Sequence, residues 1–333
     1  MKSNTSLGKD DVVKLSEGSG GKEMNELISM IKTYLNQGSW MCTNDDSSFL
    51  PLKNKKQNNL VFTSDSYVVT PIFFPGGDIG KIAFCGTVND LSVMGAKPLG
   101  LSLSLIIEEG FPKRYLLKII SSIGELSEKT GIPVVTGDTK VMEKGSVDKI
   151  IINTSGVGLA EFVLNRPIRE GDKIIVSGSI GEHGAALLAQ RFDLESEITS
   201  DSKPLFNEVS SVSTLIRQAK DITRGGLAAV LNEVSQKEKK QLLIFEEDIP
   251  IRKEVKALTE ILGIDPLLLA CEGRLVCFCA AKNAEKVVHN LKKFNSAASI
   301  IGEVHSGTGV VLQTLFGRRT LNMPSGQIVP RIC

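Results

Sequence analysis

Strand-like and helix-like runs alternate along most of this chain, with short blocks of glycine and aspartate between them. That alternation argues for an α/β or α+β layered fold. After a polar segment and a glycine-rich turn, Met24, Leu27, Ile28, Ile31 and Leu35 recur at helical spacing. The β-branched and aromatic run LVFTSDSYVVTPIFF reads as a strand. Ile79 to Met94 reads as a helix carrying Asn89 and Asp90, stopped by Gly95 and Pro98. A strand (99–107), a helix (112–130), a strand (133–136), a polar turn (137–140) and a strand (149–158) follow. The stretch NRPIREGD, from Asn165 to Asp172, is the best internal boundary, and the alternation starts again after it.

A length of 333 residues suits about two domains, each able to bury a core. The divisions read as a mobile N-terminal segment (1–16), an N-terminal domain (17–164), a C-terminal α/β domain (165–317) and a flexible tail (318–333). The tail holds Pro324, Gly326 and Pro330, shows no helical or strand period from Arg318 onward, and ends in Cys333.

With 39 basic and 38 acidic side chains the net charge is +1, so no clustered surplus points to nucleic acid or an anionic membrane. The N-terminus lacks an apolar signal region, and no stretch approaches the roughly 18 apolar residues of a spanning helix. The expectation is a soluble, cytoplasmic protein. Six cysteines make no disulfide framework, and no Cys-x-x-Cys pair suggests zinc. Cys277 and Cys279 flank Phe278, and a period of two would place both thiols on one face of a strand as small buried residues.

The chemistry-bearing signal is a set of acids at predicted loops and strand ends: Asp45, Asp46, Asp65, Asp90, Asp138 and Asp221. Carboxylates are hard oxygen ligands of the kind Mg²⁺ prefers beside phosphate and water. Gly18 to Lys22, GSGGK, stands just before a helix, where backbone N–H groups can meet a phosphate. A second glycine pair, Thr223 to Gly226, lies beside Asp221 and Arg224 and also precedes a helix. Two anion-friendly turns with several carboxylates point to a Mg-nucleotide. His183, opening a glycine-flanked helix, reads as a capping or packing group.

The ordered blocks GSGGKEM, DDS, TSDSYVVTPIFFPGGDIGK, GTVNDLSVMGA, TGDTKV, SGSIGEHG, DITRGGLA and EGR, with a terminal PRIC, cover the chain from Ser16 to Cys333. In this set the chain resembles the HypE family of carbamoyl dehydratases, in the aminoimidazole ribonucleotide synthetase-like superfamily. The resemblance implies a two-domain α/β (α+β) fold, a homodimer formed through the N-terminal sheet, and ATP held with Mg²⁺ in a cleft. It implies that Cys333 receives a carbamoyl group from the partner HypF, that the S-carboxamide is dehydrated to an S-cyanide, and that the cyano group passes to a HypC–HypD complex for the iron of a [NiFe]-hydrogenase. By the same resemblance Asp45, Asp46, Asp65, Asp90 and Asp138 are Mg-ATP ligands or their supports. Gly20, Gly21 and Lys22 line the phosphate loop, and Thr139, Asp221 and Arg224 join the ATP-binding set. Lys140 and Glu272 would orient or deprotonate the carboxamide. The block ACEGR departs from the family pattern at Cys271 and Arg274. Related ATP enzymes, thiamine-monophosphate kinase and selenophosphate synthetase, share much of the aspartate and glycine frame, and the terminal Cys discriminates against them. A non-catalytic thiol scaffold is the alternative from another class.

Overall fold

The structure, a computed structural model, describes residues 12–18, 21–35, 37–52, 59–326 and Ile332. Gly20 and Cys333, both singled out above, lie outside the described residues.

The N-terminal half comprises α1 (Lys22–Lys32), β1 (Ser48–Pro51), β2 (Asn59–Tyr67), β3 (Phe73–Phe74), β4 (Gly77–Asp78), α2 (Ile79–Val93), β5 (Lys97–Glu108), α3 (Lys113–Thr130), β6 (Val134–Met142) and β7 (Ile150–Ala160). Five strands form one sheet in the order β1-β2-β7-β5-β6, parallel only between β5 and β6. Burial along β7 alternates strictly, so the sheet has one covered face and one open face. Helix α2 packs on the covered face. It is apolar around nearly its whole circumference, and 13 of its residues are buried, as expected for a helix enclosed on all sides. Asp78 caps it by accepting the Lys81 N–H at 3.0 Å. Truncating an enclosed side chain such as Ile82 to Ala would cost roughly 2–5 kcal/mol. The rigidity of α2 matters because Asn89 and Asp90 ride on its last turns.

The C-terminal half contains β8 (Lys173–Val176), α4 (Glu182–Arg191), α5 (Phe206–Val212), β9 (Ile216–Asp221), α6 (Gly226–Glu238), β10 (Gln241–Phe245), α7 (Lys253–Leu262), β11 (Leu275–Cys279), α8 (Ala284–Leu291), β12 (Ser299–His305), β13 (Gly309–Thr314) and β14 (Gly317–Thr320). Its seven-stranded sheet runs β14-β13-β10-β12-β8-β11-β9. Every residue of β11 is buried, because both faces of the sheet are covered. Val276 and Phe278 join one core with Leu227 and Leu231 of α6. Cys277 and Cys279 join the other with Val212 of α5 and Leu291 of α8, so the two thiols share a face as the period of two predicts.

Two expectations are corrected. Gly137 to Lys140 is no turn, because β6 continues through it in parallel register with Leu103 to Ile106 of β5. Gly137 permits this close pairing: a Cβ there would stand 2.0 Å from the Leu103 carbonyl oxygen. Arg318 to Thr320 belongs to β14, which pairs antiparallel with β13 at the sheet edge. All four residues of β14 are exposed, so the strand carries no apolar period for a pattern to reveal. Among the described residues no helix is long and apolar enough to cross a membrane.

Candidate active site

Strand β2, the end of α2, the end of β9 and the loop before β11 converge on one acidic cluster. Thr63 Oγ1 on β2 lies 2.7 Å from Asp90 Oδ2 and 3.1 Å from the Asp46 carbonyl oxygen, tying three segments together. Two residues along β2, Asp65 accepts the Tyr67 hydroxyl at 3.2 Å. Asp46 Oδ1 accepts from Lys220 of β9 at 2.5 Å, and Glu233 of α6 stands 3.5 Å from the same ammonium. Burial alone would lower the Lys220 pKa, but Asp46 and Glu233 outweigh it and keep the amine firmly protonated.

Glu272, only 2% exposed, is held by its backbone rather than its carboxylate. Its N–H donates to Asp201 Oδ1 at 2.9 Å, and its carbonyl accepts from Asn89 Nδ2 at 3.2 Å. Asn89 Oδ1 in turn accepts the Leu205 N–H at 2.8 Å. Cys271 is buried, and its Sγ accepts the Gly181 N–H at 3.1 Å, so it braces the loop next to Glu272. Arg274, 7% exposed, donates to Glu182 Oε2 at 2.6 Å and stands 3.7 Å from Asp201 Oδ2. Cys271 and Arg274 thus both have structural partners.

The electrostatics follow from crowding. Burial, then the charges of Asp65, Asp221 and Asp46, push the Asp90 carboxyl well above the usual carboxylate range. Burial and Asp46 do the same to Asp221. Burial, Asp221 and Asp201 raise Glu272, with Arg224 opposing. Asp46 Oδ2, Asp221 Oδ2 and Glu272 Oε1 are buried without a hydrogen-bond partner. Buried like-charged carboxylates with unfilled acceptor oxygens make a poor packing solution and a good cation-binding one. No group of three His, Cys, Asp or Glu is drawn together at metal-binding distance among the described residues. Mg²⁺ keeps several waters and binds through one or two carboxylates plus phosphate oxygens, so it does not require three such residues drawn together. The donor set, oxygen only, fits that ion.

Other expected residues stand elsewhere. Both oxygens of Asp45 are taken by Lys237 Nζ, at 2.7 and 2.8 Å, so Asp45 would have to leave that pair to reach a cation. Asp138, Thr139 and Lys140 are exposed on edge strand β6. Asp138 and Lys140 align with Ser104 and Ile106, out of phase with the buried positions Leu105 and Ile107, and so belong to the open face. Asp138 accepts its neighbour's N–H, that of Thr139, at 2.8 Å. Lys22 is exposed, 3.8 Å from Glu26, and its backbone N–H meets the Pro324 carbonyl at 3.3 Å. Gly21 has φ +84, and a Cβ on it would stand 2.3 Å from that same carbonyl oxygen, so glycine is required where the tail passes. Arg224 reaches the Gly18 carbonyl at 3.4 Å. Sequence reasoning missed Thr63, Asn89, Asp201 and Lys220 as site residues, since none carries a distinguishing spacing.

Models of the AIR synthase related protein family match residues 44–160 (N-terminal domain) and 169–314 (C-terminal domain). The chain is 43% identical to the carbamoyl dehydratase HypE of Rhodobacter capsulatus, over 98% of this chain and 99% of that protein. A crystal structure of a HypE–HypF complex superposes with a TM-score of 0.83 at 40% identity, covering 90% of this chain and 99% of that one. One of HypE in complex with ATP gives 0.80 at 37% identity, covering 97% and 100%. Thiamine monophosphate kinase from Aquifex aeolicus, at 21% identity and a TM-score of 0.67 over 86% and 96%, shares the fold alone. The chain, with its two AIR synthase-related domains around a buried carboxylate cluster, belongs to the HypE family of carbamoyl dehydratases.

Proposed function

We propose that this chain dehydrates an S-carboxamide on its own Cys333 to an S-cyanide, using Mg-ATP, in hydrogenase maturation. The observation that carries the reading is the cluster of Asp46, Asp90, Asp221 and Glu272, three of which leave a buried oxygen unpartnered. Mg-ATP supplies the phosphoryl group that turns the amide oxygen into a leaving group. Asp46, Asp65, Asp90 and Asp221 would hold the cation, and Gly20, Gly21, Lys22 and Arg224 would face the phosphates. Positioning and charge neutralisation supply most of the catalysis in such a transfer.

Glu272 takes the remaining role. As the C–O bond breaks and phosphate departs, its carboxylate accepts one of the two nitrogen-bound protons that must leave for a nitrile to form, and the other is lost to phosphate or water. A carboxyl raised by burial and neighbouring acids is a stronger base than an ordinary one, and so better matched to that step near neutral pH. The net change is carboxamide plus ATP to cyanide, ADP and phosphate.

The open face and free edge of the N-terminal sheet support a homodimer through that face. Phe62 and Leu99 there are 45% and 47% exposed. In such a dimer Asp138, Thr139 and Lys140 stand at the interface, the position from which they could act on the carboxamide or ATP of the partner subunit. HypF as carbamoyl donor and HypC–HypD as cyanide acceptor complete the reading, and the match to a HypE–HypF complex supports the first.

The test is Cys333→Ala. The variant should bind ATP as wild type does, measured calorimetrically with Mg²⁺ present, and form no cyanide. Loss of ATP binding in it would overturn the reading of Cys333 as the carrier of the substrate rather than a part of the nucleotide site.

A further inference from the structure

Asn89 is buried on α2, one residue before Asp90, and both ends of its amide are engaged. Oδ1 accepts the Leu205 N–H at 2.8 Å. Nδ2 donates to the carbonyls of Lys203 and Glu272, at 3.2 Å each. A backbone N–H can only donate and a carbonyl can only accept, so the amide has a single workable orientation. All three partners belong to the C-terminal half, 114, 116 and 183 residues further along the chain.

The segment that Asn89 grips is itself closed around Glu272. The Glu272 carbonyl lies 3.3 Å from the Lys203 N–H nitrogen, which also donates to it, and the Glu272 N–H donates to Asp201 Oδ1 at 2.9 Å. A Cβ on Gly273 would stand 2.0 Å from the Asp201 carbonyl oxygen, so only glycine lets the two stretches of backbone approach this closely. Residues 201–205 and 272–273 therefore form one piece, and Asn89 ties that piece to α2.

Consecutive residues of an α-helix point about 100° apart, so one turn can serve two neighbours. Asp90 turns to β2, where its Oδ2 accepts the Thr63 hydroxyl at 2.7 Å. Helix α2 is capped by Asp78 and enclosed on all sides, which fixes Asn89 and Asp90 relative to each other. A single rigid turn thus carries a carboxylate proposed for the cation and the amide that holds the proposed base.

We propose that Asn89 is a positioning residue that couples the two halves of the dehydration: it fixes Glu272 relative to Asp90, so that phosphoryl transfer is followed by proton removal and not by hydrolysis. The inference rests on the proposed function. In the first half the carboxamide oxygen attacks the γ-phosphorus and ADP leaves. In the second the base takes one nitrogen-bound proton, the other is lost to phosphate or water, the C–O bond breaks and phosphate departs from the nitrile carbon. With the base displaced, water adds at that carbon instead, phosphate departs, and the carboxamide is regenerated with one ATP consumed and no nitrile formed.

The experiment counts ADP against nitrile. Full-length chain is carbamoylated with HypF and carbamoyl phosphate and separated from HypF, and the fraction carrying the carboxamide is read by intact mass. Fresh Mg-ATP is then added, and ADP formation and loss of water are followed together, with uncarbamoylated chain as the blank. In Asn89→Ala, calorimetry should show Mg-ATP bound as in wild type, because Asp90 keeps its place against Thr63. Dehydration should fall roughly 10²-fold, the scale expected when a reacting group is misplaced by about 1 Å. ADP should continue to form, so that ADP per nitrile rises well above the wild-type ratio. Asp201→Ala, which releases the Glu272 N–H, should uncouple in the same way, and Asp201→Asn, whose side-chain oxygen can still accept that N–H, should restore the ratio. If Asn89→Ala does not fold, the Asp201 pair decides, since a coupled Asp201→Ala would show that the Glu272 backbone need not be held. A wild-type ratio in the alanine variants, or ADP formation and dehydration falling together, would overturn the proposal. Glu272→Gln distinguishes that failure from failure of the functional reading: dehydration at the wild-type rate in it would mean that Glu272 is not the base, whereas an uncoupled Glu272→Gln beside coupled alanine variants would sink only the role of Asn89.

Discussion

Replacing Glu272 by Gln separates its acid–base role from its role in packing. The side chain is 2% exposed, its Oε1 has no hydrogen-bond partner, and the loop around it is fixed by backbone bonds to Asp201 and Asn89. Gln keeps the volume and those bonds, and removes only the ability to take up a proton. Loss of a general base costs typically 10²–10⁴ in rate, or about 2.7–5.4 kcal/mol of barrier. Stability should move the other way. Glu272 has a raised folded pKa, so its contribution is present below the ordinary carboxylate range and lost as pH rises through the raised value. At pH values above that window Gln does not suffer the loss, and the variant should be as stable as wild type or more so. Single-turnover dehydration of carbamoylated protein gives the rate, and urea unfolding gives the stability. A variant that dehydrates at the wild-type rate, or that unfolds much more readily, would refute the reasoning.

Two further predictions concern the cluster. Lys220→Met leaves Asp46 buried without its cation and should cost about 3–5 kcal/mol in urea unfolding, most of it recovered when Asp46 is also made Leu; a loss below about 1 kcal/mol would contradict the pairing. Asp90, Asp221 and Glu272 all have raised folded pKa values, so Mg-free stability should decline as pH rises through them. As pH rises through those raised values, Mg²⁺ with ATP should raise the melting temperature more at the higher pH; a pH-independent gain would argue that these carboxylates do not meet the ion.

The layers and the buried thiols of β11 could be read from residue order, because each depends on local period. The aspartates could be nominated, but their convergence depends on α2 lying between two sheets, which no spacing encodes. Asn89 looks like any helical amide until its partners, 114 and 183 residues away, are known. Lys220 is likewise one more strand lysine until Asp46 is placed beside it. Asp45 shows the opposite case, an apparent ligand whose neighbour Lys237 takes both oxygens. The second half of strand β6, from Gly137 onward, hid in a polar block because an edge strand facing outward needs no apolar period.

The most direct measurement is intact-protein mass spectrometry of the chain after incubation with HypF, carbamoyl phosphate and ATP, with Cys333→Ala alongside. The expected result is the gain of one carbamoyl unit and then an ATP-dependent loss of one water, both mapping to Cys333 and both absent from the variant. ATP consumed with no adduct on Cys333, or an adduct that never loses water, would contradict the account.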